Sequence, residues 1–244
     1  MIAIISDLHS NLEALRAVVD DIAKKRIEQV VVLGDVVGYG PNPNECLELV
    51  KQLRPQVILM GNHEDALLNG CPDNMHPRAQ TAIDWTRRQL SEADIAFIKT
   101  WPTEHYIGNL MAVHASPRDH VLEYIFPHDV RHRQKMVEIF AKIPGRHCVV
   151  GHVHIPGVFT EDYKFITPPE LMSNLYLFGD EKAVINVGSV GQPRDLDPRA
   201  CYVTFDGEAV VFRRVDYDVR LTQKKIYGIK ELDAYLGRRL EAGR

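Results

Sequence analysis

Short apolar runs alternate with amphipathic stretches in the first part of the chain. Three mostly apolar runs predict buried β-strands, at residues 2–5, 30–33 and 56–60. Between them, apolar residues recur at helical spacing and predict helices over residues 11–26 and 45–53. Ser10 and Glu13 have the spacing of a capping box at the start of the first helix. This β-α-β-α-β order predicts a parallel sheet with right-handed crossovers.

The remainder of the chain predicts more helix and then a second sheet. Residues 63–100 have helical character with interruptions at Pro72 and Pro77, and a further helix is predicted from residue 130 onward. Short strands are predicted at residues 105–107, 110–113, 148–150, 158–160, 163–166, 175–178, 183–187, 201–205 and 209–215. The strands after residue 150 predict a second, largely antiparallel sheet. Two final helices are predicted at residues 219–227 and 230–240.

The composition is that of an ordinary globular protein. The 244 residues are 45% hydrophobic and 25% charged, which predicts a folded chain rather than a disordered one. We expect a single α/β domain over residues 1–244, with C-terminal helices from about residue 217. Its expected architecture is two packed mixed β-sheets flanked by helices.

Charge and cysteine content narrow the classes of function. The net charge of −4 provides no strongly basic surface, so nucleic acid is not an expected partner. The four cysteines form no CxxC pair, which argues against a disulfide framework and favours a reducing, cytoplasmic location. No apolar run approaches the ~18 residues of a membrane span, and the apolar start breaks at Ser6 and Asp7, too early for a secretory leader. We therefore expect no membrane partner.

Residues suited to metal binding follow the ends of the predicted strands. Five segments share this placement: Asp7-Leu8-His9, Gly34-Asp35, Gly61-Asn62-His63-Glu64, His114 and Gly151-His152-Val153-His154. Asp7, Asp35 and Asn62 are about one β-α unit apart, so neighbouring parallel strands bring them to the same carboxyl edge. His152 and His154 are two residues apart, so on an extended segment both imidazoles point the same way.

This collection of donors has the composition of a metal centre. It contains two aspartates, one asparagine and four histidines, besides His63. It offers more donors than one ion needs and about enough for two ions that share a carboxylate. The absence of thiolates from the set argues against a structural zinc site, and the donors suit divalent ions such as Mn²⁺, Zn²⁺, Fe²⁺ or Co²⁺.

The order of these motifs resembles that of the calcineurin-like metallophosphoesterases. The elements D-x-H, G-D, G-N-H-[E/D], H and G-H-x-H occur here in that order, from Asp7 to His154. Residues 34–41, 114–117 and 188–194 further resemble a small single-domain bacterial and archaeal branch of the family. The resemblance extends to about residue 215 and implies a four-layer α-β-β-α sandwich.

The resemblance also implies a role for each motif residue. One metal ion would be held by Asp7, His9, Asp35 and His154, and a second by Asp35, Asn62, His114 and His152. His63 would act on the phosphate as general acid or transition-state stabiliser. The implied reaction is hydrolysis of phosphate mono- or diesters by a metal-bound hydroxide. The implied cofactors are two divalent cations: manganese first, with zinc, iron, nickel or cobalt as alternatives.

Other residues near the motifs are candidates for substrate contact. Three are expected to line the substrate pocket or clamp a phosphate: Tyr39, Arg118 and Arg194. The sequence leaves three further roles open, those of Glu64, Asp65 and His76. Two basic pairs near the C-terminus are predicted to be solvated helix faces: Lys224-Lys225 and Arg238-Arg239.

Two alternative functions compete with hydrolysis of a small substrate. A non-catalytic metal-binding scaffold of retromer-subunit type resembles this family but departs from it at the histidine of G-N-H, which is intact here as His63. A nuclease shares the motifs but relies on a basic surface, which a net charge of −4 does not favour. The expected partner is a small phosphate ester, with nucleotides and phosphoproteins both open, and the sequence predicts no oligomeric state.

Overall fold

The computed structural model describes residues 1–73 and 75–244. The strands in this part of the chain are β1 (Ile2–Ile5), β2 (Gln29–Val32), β3 (Val57–Ile58), β4 (Glu104–Ile107), β5 (Leu110–Val113), β6 (His147–Val150), β7 (Gly157–Thr160), β8 (Phe165–Ile166), β9 (Leu175–Leu177), β10 (Ala183–Asn186), β11 (Ala200–Phe205) and β12 (Ala209–Val215). The helices are α1 (Leu12–Lys24), α2 (Pro43–Leu53), α3 (Asn62–Asn69), α4 (Pro77–Gln89), α5 (Glu92–Ile98), α6 (Arg133–Ala141), α7 (Val219–Tyr227) and α8 (Ala234–Ala242). Short 3₁₀ turns occupy Pro127–Arg131, Pro168–Glu170 and Met172–Asn174.

The strands form two six-stranded mixed sheets. The first sheet has the order β3-β2-β1-β11-β12-β9, with β1, β2 and β3 parallel, which confirms the predicted parallel unit. The second sheet has the order β4-β5-β6-β10-β7-β8, and β5, β6 and β10 are parallel to one another. The two packed mixed sheets flanked by helices confirm the expected α/β fold.

The predicted division of strands between the sheets is wrong. The strands after residue 150 do not form one antiparallel sheet, because β9, β11 and β12 join the first sheet while β7, β8 and β10 join the second. The physical reason lies in β11, all six residues of which are buried. Such a strand needs cover on both faces and a partner on both edges, and it obtains them between β1 and β12.

Alternation along the central strands creates the layers of the fold. In β1, Ile4 points between the sheets while Ala3 and Ile5 point toward the helical side. The outer face of the second sheet packs against α6 through Met136 and Ile139. Because side chains on a strand point alternately to opposite faces, each sheet fills two cores, and the result is a four-layer arrangement.

The first helix starts differently from the prediction. Asn11 is its N-cap, with the side chain accepting a hydrogen bond from the Ala14 N–H at 3.2 Å. The predicted capping box of Ser10 and Glu13 is wrong, since the buried Ser10 hydroxyl has no partner and Glu13 instead binds Lys225 of α7 at 2.5 Å. The Glu13 carboxylate therefore binds α7 instead of the cap of α1 that the sequence predicted.

Other helix boundaries shift by one turn or less from those predicted. The second helix begins at Pro43 rather than at residue 45, because proline is well suited to the first helical position. The helix predicted from residue 130 is found as α6, which begins at Arg133 after the 3₁₀ turn Pro127–Arg131, and the last helix begins at Ala234 rather than at residue 230. In the described part of the chain, every helix is too short or too polar to cross a bilayer.

Candidate metal centre

The candidate ligands meet at one end of the sandwich, where strands of both sheets finish. Asp7 follows β1 and Asp35 follows β2, while His114 follows β5 and the 152–154 segment follows β6. Five of the candidate ligands have left-handed backbone conformations: Asp7 (φ 55°), His9 (φ 47°), Asp35 (φ 51°), His152 (φ 67°) and His154 (φ 65°). The expectation that residues 152–154 are extended is therefore wrong, and tight turns aim these side chains instead. Such conformations are costly for non-glycine residues and concentrate at functional sites.

Gly61 allows the turn after β3 to lie directly against Asp35. A Cβ at this position would come within 2.2 Å of Asp35 Oδ1. Two residues on, the His63 N–H donates to the same Oδ1 at 2.9 Å. One carboxylate oxygen of Asp35 is thereby held by backbone, which leaves Oδ2 for the candidate metal centre.

A first group of donors consists of Asp7, His9, Asp35 and His154, all buried. His154 Nε2 lies 3.1 Å from Asp7 Oδ1 and 3.1 Å from His9 Nε2. His9 Nε2 is 3.6 Å from Asp35 Oδ2. Donor atoms bound at ~2.1 Å to one cation lie about 3 Å or more apart, so these spacings suit a shared ion.

A second group consists of Asp35, His114 and His152, with Asn62 beside them. His114 Nε2 lies 3.2 Å from His152 Nδ1 and 3.1 Å from Asn62 Oδ1. It is also 3.6 Å from Asp35 Oδ2. The same oxygen of Asp35 is thus equally distant from a histidine of each group, which is the position of a bridging ligand.

Backbone carbonyls fix which nitrogen of each imidazole faces the centre. His114 Nδ1 donates to the Leu33 carbonyl at 3.0 Å, and His154 Nδ1 donates to the Gln192 carbonyl at 2.6 Å. His152 donates in the opposite sense, from Nε2 to the Leu122 carbonyl at 3.3 Å. Because a carbonyl only accepts, the proton sits on the outward nitrogen and the inward nitrogen keeps its lone pair.

Burial sets the charge states of the group. It raises the pKa of Asp7 and raises that of Asp35 well above its usual value, the latter also through the charge of Glu64. Burial lowers the pKa values of His9, His152 and His154 well below the usual value, so these rings are neutral. Divalent cations bind neutral imidazoles and ionised carboxylates, so the rings are already in the binding form, and a cation would supply the positive charge that the two buried carboxylates lack. The donor set therefore fits divalent metal ions.

His63 is buried beside both groups but belongs to neither. Its ring lies 4.6 Å from that of His9 and 4.4 Å from that of Tyr39, centre to centre, and Nδ1 has no partner. Burial lowers its pKa well below the usual value, so the ring is neutral and can donate one hydrogen bond.

The two acidic residues after His63 have different environments. Glu64 is fully buried and accepts backbone N–H groups from Asp35 (2.9 Å), Val37 (3.1 Å) and Gly61 (3.1 Å). It ties the Asp35 loop to the start of α3, and burial raises its pKa to about 7. Asp65 instead accepts from the Asn69 side chain at 2.7 Å on the outer side of α3.

A cavity of about 270 Å³ opens beside the second group. It is lined by Tyr39, Asn62, His63, Pro72, Met75, His76, Ala79, Leu122, Tyr124 and His152. The Tyr124 ring lies on the His152 ring, with centres 3.8 Å apart. A larger cavity of about 850 Å³, lined by residues such as Arg146 and Phe178, contains none of the candidate ligands.

The three residues expected to contact substrate occupy different places. Tyr39 lines the cavity and touches His63, as its position after Asp35 suggested. Arg194 lies beside the first group, since its backbone N–H donates to the His154 carbonyl at 3.1 Å. Arg118 does not line the cavity, because its guanidinium pairs with Glu123 and Glu138. Its expected phosphate contact stays an untested prediction.

Comparisons with known proteins identify the family of this chain. The model of the calcineurin-like phosphoesterase superfamily domain matches residues 1–209, and the chain belongs to that family. An uncharacterized protein of Methanocaldococcus jannaschii is 38% identical over 252 residues, which cover 100% of this chain and 98% of that protein.

Two solved structures have the same architecture. The crystal structure of a metallophosphoesterase from Sphaerobacter thermophilus is 36% identical, with a TM-score of 0.86 over 100% of this chain and 99% of that one. A hypothetical protein from Pyrococcus horikoshii shares the fold at 19% identity, with a TM-score of 0.80 over 100% and 99% of the two chains. The family model and the Sphaerobacter thermophilus structure confirm the family resemblance seen in the motifs, and the Pyrococcus horikoshii structure agrees with the fold.

Several residues at the centre carry no motif signal. Tyr124 and Leu122 reach the cavity from a loop that contains none of the motifs. Gln192 lies within the family-like segment 188–194, but it orients His154 only through its backbone carbonyl, which any residue type supplies. The open question over His76 has a geometric answer, since it lines the cavity while capping α4.

Proposed function

We propose that this protein is a phosphoesterase with two divalent cations, which hydrolyses phosphate mono- or diesters. The observation that carries the proposal is the shared position of Asp35 Oδ2, at 3.6 Å from both His9 Nε2 and His114 Nε2. Asp7, His9 and His154 complete one ion's ligands, while Asn62, His114 and His152 complete the other's. When bound, a pair of such cations neutralises phosphoryl oxygens and acidifies a water molecule. Manganese is the first candidate, because oxygen and imidazole donors are mixed here.

His63 supplies the protein's own contribution at the phosphate. Its backbone N–H donates to Asp35 Oδ1, and its ring packs between the rings of His9 and Tyr39. Because burial keeps the ring neutral, the N–H hydrogen bond favours stabilisation of charge on a phosphoryl or leaving oxygen over full proton donation. Tyr39 and the cavity beside His63 would receive the organic part of the ester.

Metal content and hydrolysis can be measured on the same protein samples. The purified protein is analysed for metals and assayed with 4-nitrophenyl phosphate and bis(4-nitrophenyl) phosphate in Mn²⁺, Ni²⁺, Zn²⁺ and Mg²⁺. We expect about two ions per chain and turnover of at least one ester class. The Asp35→Asn variant is expected to bind neither ion and to have no turnover. The Asn62→Ala variant is expected to bind one ion instead of two.

Asp65→Asn is the matched control, because Asp65 is close in sequence but lies outside both donor groups. It is expected to keep metal and turnover. Two ions without turnover of either ester would favour a non-catalytic scaffold instead. A protein that binds no metal under any condition would refute the proposed centre.

Two further expectations remain proposals. A single domain over residues 1–244 is supported by the contacts of α7 with α1, where Thr222 bonds Asn11 at 3.0 Å. A reducing location is supported by the cysteines of the described chain, Cys46, Cys71, Cys148 and Cys201, all of which are free.

A further inference from the structure

An irregular segment beside the metal centre, residues 122–129, has side chains that alternate between the surface and the interior. Its outward members are mostly apolar and yet exposed: Leu122 (46%), Tyr124 (41%) and Phe126 (37%), followed by the exposed His128. Contiguous apolar side chains on a protein surface are typical of a binding site, whereas single exposed ones are ordinary.

The inward residues hold this segment in place. Ile125 is 1% exposed and belongs to the core between α6 and the second sheet. Glu123 accepts a hydrogen bond from the Arg118 guanidinium at 3.1 Å, and Asp129 accepts one from the Phe126 N–H at 2.7 Å. The outward side chains therefore have fixed positions, which a surface for binding needs.

The outward rings form a row that begins on a candidate metal ligand. The Tyr124 ring lies on the His152 ring, with centres 3.8 Å apart. The Phe126 ring is 5.3 Å from the Tyr124 ring and within 2° of parallel to it, and the His128 ring is 5.4 Å from the Phe126 ring and within 7° of parallel. We call these three rings, Tyr124, Phe126 and His128, the aromatic row.

The spacing of the aromatic row leaves ring surface free. Stacked rings touch at about 3.5 Å, so a centre-to-centre distance of 5.3 Å corresponds to a sideways offset of about 4 Å. Each ring thus covers only part of the next one, and part of each face stays open. Aromatic rings bind other aromatic rings through such offset faces and through their edges.

The aromatic row is continuous with the cavity at the metal centre. Leu122 and Tyr124 line the 270 Å³ cavity, and the described residues that line it include no aspartate, glutamate, lysine or arginine. Beside the row, Arg118 and Lys135 are both paired with carboxylates. The surface that leads away from the metal centre therefore favours an uncharged, flat group over an anionic one.

We propose that Leu122 and the aromatic row receive the organic part of the substrate, and that the substrates are phosphate esters whose organic part carries an uncharged aromatic ring system. This inference rests on the proposed function, since the phosphoryl group would lie at the metal centre. A ring close to the phosphate would lie against Tyr124, and a more distant ring against Phe126. An aromatic pair of this kind is worth about 2- to 12-fold in affinity.

Calorimetric binding of phosphonates, which are not hydrolysed, to the metal-loaded full-length protein tests the row. Benzylphosphonate and cyclohexylmethylphosphonate have the same charge and the same number of carbons, but only the first has a flat ring. We expect the native protein to bind benzylphosphonate about fivefold more tightly. Tyr124→Leu is expected to remove this preference with metal content unchanged. Phe126→Leu is expected to keep it but to weaken the binding of biphenylmethylphosphonate, whose second ring lies further from the phosphorus.

Tyr106→Leu is the matched control, because Tyr106 is a similarly exposed tyrosine (44%) on β4 and does not line the cavity. Equal binding of the two smaller phosphonates by the native protein would overturn the inference. So would an equal loss of preference in Tyr106→Leu. Sedimentation adds a third test: a native dimer that Phe126→Leu converts to a monomer would make the row an interface between copies of the chain, and would overturn the inference too.

Adenosine 5′-monophosphate and ribose 5-phosphate distinguish two sources of such a ring. A higher kcat/KM for the adenosine ester assigns the ring to a nucleobase. Equal values, together with the preference for benzylphosphonate, assign it to an aromatic ester without a sugar. Failure of the proposed function gives a different result, namely no hydrolysis of either nitrophenyl ester, whereas failure of this inference leaves that hydrolysis intact and removes only the preference for flat rings.

Discussion

Gly38→Ala tests the role of His63 without changing His63 itself. A Cβ at Gly38 would lie 2.1 Å from His63 Nδ1, whereas ordinary contact begins at 3.4 Å. The ring must therefore retreat by about 1.3 Å. The rings of His9 and Tyr39, at 4.6 and 4.4 Å, block two directions, so the His63 ring would shift toward the cavity that it lines.

The size of the expected effect follows from this displacement. A misplacement of ~1 Å in a reacting group costs about 100-fold in rate. Metal content is expected to stay unchanged, because His63 is not among the donors of either group. The positive φ of Gly38, +90°, adds a strain of about 1–3 kcal/mol to the folded state of the alanine variant.

Gly70→Ala separates the strain from the steric effect. Gly70 has a similar φ of +97° but nothing within 4 Å of an added Cβ. We expect it to lower the melting temperature, by no more than Gly38→Ala does, while keeping the rate of ester hydrolysis. The assay is turnover of the better nitrophenyl ester, combined with metal analysis of each variant.

A double-mutant cycle completes the test. If Gly38→Ala acts through His63, it has no further effect on the rate in a His63→Ala background. A further 100-fold loss in that background, or an unchanged rate in Gly38→Ala alone, would refute the reasoning. A loss of metal in Gly38→Ala would also refute it, since the variant would then act on the ligands.

Three further predictions concern stability. Chelation of the metal is expected to lower the melting temperature in calorimetry. Addition of Mn²⁺ at ~100 times its Kd is expected to raise the free energy of unfolding again by about 2.7 kcal/mol, but not in the Asp35→Asn variant. Asn11→Ala is expected to lower the free energy of unfolding in urea by about 1–2 kcal/mol, because it removes the side chain that caps α1. Ser10→Ala is expected to lower it by less than about 0.5 kcal/mol, because the Ser10 hydroxyl has no partner. Tyr202→Phe is expected to cost about 1.5 kcal/mol in the same assay, because the hydroxyl donates to Asp21 at 2.6 Å; an unchanged unfolding midpoint would contradict this.

The local sequence pattern was sufficient to predict the helices and strands and most residues of the candidate site. A buried strand that ends at a polar residue is a local signal, and it located Asp7, Asp35 and Asn62. The parallel β-α unit then requires these residues to share an edge. The structure brings them together as expected, and the predicted strands and helices differ mainly at their ends.

The local sequence pattern does not predict which distant segments pair with each other. Nothing in residues 200–205 indicates that β11 lies beside β1, since an apolar run is equally suited to either sheet. Arg238 and Arg239 are adjacent basic residues in the sequence, and only the packing of α8 leaves Arg238 exposed and Arg239 half-buried. Tyr124 likewise reaches His152 by the path of an irregular loop.

The sequence by itself determined the repeating β-α order, the donor types and the family, because strand length, alternation and motif spacing are properties of neighbouring residues. Tertiary structure decided which sheet each late strand joins and which oxygen of Asp35 faces both donor groups. Those outcomes depend on contacts between residues that are distant in the chain, such as His9 with His154. Burial and close packing select among such contacts, and no local pattern records them.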